Sequence, residues 1–227
     1  MEWKDSNVTL PLPKQNELTA LIEQNGIRME VPAKKIFLKP GDTLKGVYYI
    51  AEGRTRHFMC APDGTEKLLY ILSAGWFYGE TPCELHDTTG LFSKADQPSV
   101  LYLIPMPKYR SLLAECDLFR EAILQSYSKK MRILRQEVAN LSFTPCKDRL
   151  RRLYCSTADT SHVIDGQWYD LKLNYTQYEI STIVGGARVT ITKLINELCA
   201  EGFIRVLNRR TQINVNQYKQ EIQKDWV

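Results

Sequence analysis

Residues 174–204 read NYTQYEISTIVGGARVTITKLINELCAEGFI, two short amphipathic helical patterns either side of Gly185-Gly186. The first opens on Thr176-Gln177-Tyr178-Glu179, the spacing at which a Thr hydroxyl and a Glu carboxylate satisfy each other's backbone donors. Tyr178, Ile180, Ile183 and Val184 then recur at helical intervals. The glycine pair permits a tight reversal, because glycine takes positive φ at no steric cost. The second pattern is expected to bury Val189, Ile191, Leu194, Ile195 and Leu198 and to present Ala187, Arg188, Thr190, Thr192 and Lys193 near its start. Taken alone, this spacing fits an αα-hairpin as well as a helix-turn-helix. The flanks favour the second, in which the start of the second helix meets base edges in the DNA major groove.

Downstream, Glu201-Gly202 ends the helix, with glycine as its left-handed cap. Phe203–Leu207 and Gln212–Val215 read as strands joined by Asn208-Arg209-Arg210-Thr211, a wing whose arginines face phosphate. Upstream, Lys147–Cys155 is a basic helix with Leu150, Leu153 and Tyr154 on one face, and His162–Leu173 is a hairpin turning at Asp165-Gly166. Helix, hairpin, helix-turn-helix and wing compose a winged helix. Its residues 142–227 carry 12 Lys/Arg against 9 Asp/Glu, while residues 1–141 carry 18 against 17. The excess cation therefore sits where DNA phosphate is to be met.

Between Cys116 and Ser142 there is neither Pro nor Gly, and Leu124, Tyr127, Met131, Leu134, Val138 and Leu141 follow the heptad seam of a coiled coil. Such a helix is roughly 40 Å long and gives a homodimer its symmetry. Pro145 ends the run. From Val31 to Ile104, short β patterns alternate with turn signals at Pro40-Gly41-Asp42, Glu52-Gly53, Pro62-Asp63-Gly64, Ala74-Gly75 and Gln97-Pro98, which predicts a jelly roll. Leu10–Gly26 reads as a helical lead-in with Leu18, Leu21 and Ile22 on one face. The expected class is α+β. An N-terminal β-roll occupies 1–114, a dimerisation helix 115–143 and a winged helix-turn-helix domain 144–227.

Other classes find little support. Six cysteines are scattered without a CxxC pair or zinc-finger spacing, and no metal or cofactor is expected. Three isolated histidines provide no facial triad, and no nucleophile–base constellation appears, so the chain does not read as an enzyme. The start shows no signal-peptide pattern and there is no long apolar run, so no membrane partner and a cytoplasmic location are expected.

Tyr49-Ile50-Ala51-Glu52-Gly53, Asp63-Gly64-Thr65-Glu66, Gly75-x-Phe77-x-Gly79-Glu80, the long helix and Gly202-Phe203-Ile204 occur in an order and spacing that resemble the CRP/FNR superfamily of dimeric bacterial transcription regulators. The resemblance covers essentially the whole chain. It implies an effector-binding β-roll, a winged helix reading an inverted repeat in double-stranded DNA, and RNA polymerase as a partner. Cyclic-nucleotide-binding members hold the phosphate with an Arg-Ser pair about ten residues after Gly-Glu, a position filled here by Gly90-Leu91. No Arg lies between Arg56 and Arg110, so the bidentate phosphate clamp is missing.

Asp63–Tyr70 looks closest to the branch that senses halogenated phenols and controls reductive dehalogenation genes. That likeness implies Tyr70 and Lys129 at an effector pocket. A phenolate would meet the ammonium, Glu80 a polar group, and Trp76, Phe77, Tyr78 or Phe92 the ring. Glu80 departs from the lysine of that branch. A thiol- or haem-dependent sensor with the same DNA output is the second reading. For DNA, Arg188 and Lys193 are expected on guanine or phosphate, Val189 on a thymine methyl, and Thr176, Ala187, Thr190, Thr192, Arg209 and Arg210 along the contact, which predicts an AT-rich site.

Overall fold

A computed structural model describes residues 12–173, 175–208 and 210–224. The chain divides into two compact units, with the division between Arg135 and Gln136.

The first unit begins with α1 (Leu12–Asn25), followed by β1 (Ile27–Val31), β2 (Ile36–Leu38), β3 (Gly46–Glu52), β4 (Arg54–Cys60), β5 (Glu66–Ser73) and β6 (Phe77–Tyr78). Helix α2 (Glu80–Leu85), β7 (Phe92–Ala95), β8 (Ser99–Pro105), α3 (Met106–Glu115) and the long α4 (Asp117–Phe143) complete this run. The strands form two antiparallel four-stranded sheets, ordered β1-β8-β3-β6 and β2-β7-β4-β5.

The first sheet is covered on both faces. Because successive side chains alternate across a strand, Tyr48 and Ile50 of β3, Tyr78 of β6 and Leu101 of β8 enter a core shared with Leu38, Leu72 and Ala95 of the second sheet. Val47, Tyr49, Phe77 and Ile104 point the other way, into a core built with Leu18 and Ile22 of α1, Tyr109 of α3 and Phe119 and Ile123 of α4. This two-sided cover explains why Gly46–Ile50 is buried without interruption.

Helix α4 carries two stripes. Phe119, Ala122, Ile123 and Ser126 are buried against its own unit, and Ile133 packs on the inter-sheet core. Leu124, Met131, Val138 and Leu141 are 62%, 67%, 64% and 44% exposed. Tyr127 and Leu134 lie half-buried between these faces.

In the second unit, α5 (Cys146–Thr157) leads into β9 (Ala158–Ile164) and β10 (Trp168–Leu171), then α6 (Gln177–Val184), α7 (Arg188–Ala200), β11 (Ile204–Leu207), β12 (Arg210–Asn214) and α8 (Val215–Ile222). Its sheet runs β11-β12-β10-β9. The turn between β9 and β10 places Asp165 and Gly166 at φ 50° and 69°, the paired left-handed geometry that an Asp-Gly hairpin supplies. Among the described residues no helix is long and apolar enough to cross a membrane.

Candidate functional site

The inside of the β-roll holds a polar group within an aromatic core. Trp76 is 3% exposed and Tyr78 4%. Tyr78 stacks on Tyr48 with ring centroids 4.9 Å apart, and its hydroxyl is buried without a hydrogen-bond partner among the described residues. Tyr70, half-buried on β5, packs against the same core. Burial, reinforced by Glu80, pushes its phenol up to about 12.

Glu80 opens α2 and is 2% exposed. It accepts hydrogen bonds from Lys130 Nζ at 2.7 Å on each carboxylate oxygen and from Ser126 Oγ at 2.8 Å. Lys130 also donates to the Phe77 carbonyl at 2.6 Å. Burial pulls the Lys130 ammonium below its ordinary value, and the Glu80 carboxylate holds it up.

His57 lies beside this pair, 3% exposed, with Nε2 2.9 Å from Thr55 Oγ1, Nδ1 2.9 Å from Ser93 Oγ, and its ring against Tyr78. Burial, with a smaller contribution from Lys130, lowers its pKa to about 3. The ring is therefore neutral at pH 7 and donates at one nitrogen while accepting at the other. The unfolded chain binds this proton near pH 6.5, so stability conferred by a neutral His57 is complete above that pH. It is lost as pH falls toward 3, in total on the order of 5 kcal/mol. Urea unfolding between about pH 7 and pH 4 should show that acid-side slope, and His57→Gln should flatten it. An unchanged slope in the variant would place the titration elsewhere.

The residues expected at the effector site are thus only partly brought together. Tyr70, Trp76, Tyr78 and Glu80 converge. Lys129 lies outside the buried ion pair, its Nζ 5.2 Å from the centre of the Trp76 ring, with its pKa lowered first by burial and then by Arg132. Phe77 faces the helix-covered core, and Phe92 stacks on Phe58 across β4 and β7. Sequence reasoning passed over Lys130, Ser126 and His57. The step from Ser126 to Lys130 is one helical turn, a signal visible only once the helix face toward the β-roll is known. At Gly90, the position that the resemblance gives to the phosphate-binding arginine, a Cβ would meet nothing within 4 Å, so space does not explain its absence. Burial pushes the Cys83 and Cys155 thiols up to about 11 and about 12, which disfavours the reactive thiolate there.

In the second unit, Thr176 caps α6 with both halves of the capping box formed, so its hydroxyl is engaged by Glu179. Gly185 takes φ 72° at the end of α6. Gly186 serves close approach instead, since a Cβ there would lie 2.9 Å from Cys146 Sγ. Ala187 precedes α7 and offers no side-chain cap. Helix α7 buries Ile191 and Leu198, with Leu194 and Ile195 half-buried. Val189 is not a core residue as its spacing suggested, because it is 83% exposed at the start of the helix.

Arg188, Val189, Thr190 and Lys193 form an exposed patch on the first turns of α7, and Arg188 sits 4.4 Å from the centre of the Tyr178 ring. Thr192 is half-buried and donates to Gln177 Oε1 and the Arg188 carbonyl. Arg210 is exposed at the start of β12 with Nη1 3.5 Å from Asp170; Arg209 lies outside the described residues. The basic helix α5 turns inward. Lys147 pairs with Glu197 and Glu201, Arg151 with Glu201, and Arg152 donates to Asn140 Oδ1.

A β-roll followed by a long helix and a winged helix defines a DNA-binding transcription regulator with an effector-binding domain. Residues 28–116 match the family model for the cyclic nucleotide-binding domain, and residues 148–220 match the Crp-like helix-turn-helix domain. The chain is 26% identical over 178 residues to the CRP-like cAMP-activated global transcriptional regulator of Mycobacterium tuberculosis, covering 78% of this chain and 77% of that protein. It resembles the c-di-GMP responsive global regulator CLP of Xanthomonas campestris with a TM-score of 0.75 at 19% identity, over 87% of this chain and 98% of the other. CprK complexed with OCPA gives 0.69 at 19% identity, over 90% and 93%. The chain belongs to the CRP/FNR superfamily of transcription regulators.

Proposed function

We propose that this regulator is a homodimer that binds an AT-rich inverted repeat under the control of a small aromatic anion. The observation that carries the reading is the β-roll interior. Lys129 Nζ lies 5.2 Å from the centre of the Trp76 ring, which shares its core with Tyr70 and Tyr78, while no guanidinium stands at the cyclic-phosphate position. An aromatic ring suits the tyrosine and tryptophan faces, and an acidified phenol or aryl carboxylate suits the Lys129 ammonium. The orphan Tyr78 hydroxyl adds a donor for such a ligand. CprK, solved with OCPA, shares this fold. Binding that favours one of two arrangements of the paired long helices then shifts DNA affinity.

The exposed Leu124, Met131, Val138 and Leu141 stripe supports the dimer. The exposed Arg188, Val189, Thr190 and Lys193 patch supports base and phosphate contact. Lys193 contacts guanine or phosphate, Val189 a thymine methyl, and Thr176 and Arg210 flank the contact. Such a protein works in the cytoplasm, with RNA polymerase as its partner.

The test is anisotropy of a labelled duplex, enriched from a random pool by the protein itself, against ortho-halogenated phenols, aryl carboxylates and cyclic AMP. Aromatic anions should change the affinity, and Lys129→Ala or Tyr70→Phe should remove that response. A response to cyclic AMP alone would sink the aromatic reading. In the same assay, Arg188→Ala should cost about 1–3 kcal/mol of binding if it reads a base.

A further inference from the structure

We propose that Arg149 is a positioning residue that locks the end of the long helix to the turn of the helix-turn-helix. It lies in the first turn of α5 and is 8% exposed. Nearby Lys147 and Arg151 pair with carboxylates of α7 and the residue after it. Arg149 differs, because its three hydrogen bonds end on backbone carbonyls. Nε donates to Val184 at 2.9 Å, Nη2 to Gly185 at 3.2 Å, and Nη1 to Thr144 at 2.7 Å. Val184 ends α6 and Gly185 is its C-cap, while Thr144 directly follows α4.

These carbonyls belong to the groups that a helix terminus leaves without an internal partner, and each helix presents the negative end of its dipole there. One planar guanidinium satisfies both ends at once, which an ammonium, a point donor, cannot do across the same span. Gly186, packed on Cys146 Sγ, closes the joint from the other side. Helix α7 begins two residues later, at Arg188. The orientation of Arg188, Val189 and Lys193 is thereby referred to the end of α4 through one side chain. A shift of the long helix then carries the recognition helix with it.

Amide hydrogen exchange on the full chain tests the lock. In Arg149→Met, amides of residues 140–149 and of 182–187 should both exchange at least about tenfold faster, while β10, β12 and α8 keep wild-type rates. Arg149→Lys retains the cation and should fold, yet it too should release one of the two segments. The DNA arm uses the enriched inverted repeat and the same repeat with one base pair added between half-sites. Wild type should prefer the first by at least about tenfold, whereas both variants should bind the two within about twofold and keep their affinity for an isolated half-site. Faster exchange throughout the second unit, or in neither segment, would reduce Arg149 to a packing residue and overturn the proposal, as would an unchanged spacing preference. The exchange arm does not depend on the dimer, so failure of the dimer reading, seen as a wild type without spacing preference, is separable.

Discussion

Lys130→Met destabilises the first unit by about 3–5 kcal/mol, the cost expected when one member of a buried ion pair is removed and the other is left uncompensated. Among the described residues, Glu80 would keep Ser126 as its side-chain donor within a site that is 2% exposed. The deficit should appear in urea unfolding at neutral pH as a lowered midpoint relative to wild type. Glu80→Gln placed on top of Lys130→Met removes the stranded charge and should recover at least half of the loss at neutral pH. Additive losses in the double variant would show that the two residues do not act as a pair.

The second large effect is on assembly. Met131 and Val138 are 67% and 64% exposed on α4, so Met131→Glu with Val138→Glu should leave the helix content of the chain unchanged. In the proposed dimer these positions lie on the seam, where two carboxylates per chain would face their copies in a desolvated contact. Sedimentation should show a monomer. Affinity for the inverted repeat should fall by about 100-fold or more, because each half-site is then bound without the effective concentration its partner supplies. A variant that still sediments as a dimer would move the seam to another face of the molecule.

The helix-turn-helix was legible because its signals are local. The capping box at Thr176 and Glu179, the left-handed Gly185 and the Asp165-Gly166 turn each depend on residues a few positions apart, and each forms as its spacing implies. The exposed stripe of α4 was legible for the same reason, since a heptad is a property of one helix. Val189 escaped this logic. Apolar spacing puts it with Ile191, but the first turn of α7 extends past the packing surface of α6, and only the assembled pair shows it exposed.

By itself, then, the sequence determined the order of β-roll, long helix and winged helix, the helix-turn-helix with its caps, and the apolar stripe along α4, all through short-range spacing and backbone preference. Tertiary structure alone decided which face each side chain serves. It divided Phe77 from Trp76 and Tyr78, placed Lys130 rather than Lys129 on Glu80 across 50 positions of chain, and turned the cations of α5 inward. The physical reason is that a buried charge is stable only where a partner from a distant element meets it, and no local pattern records where two such elements cross.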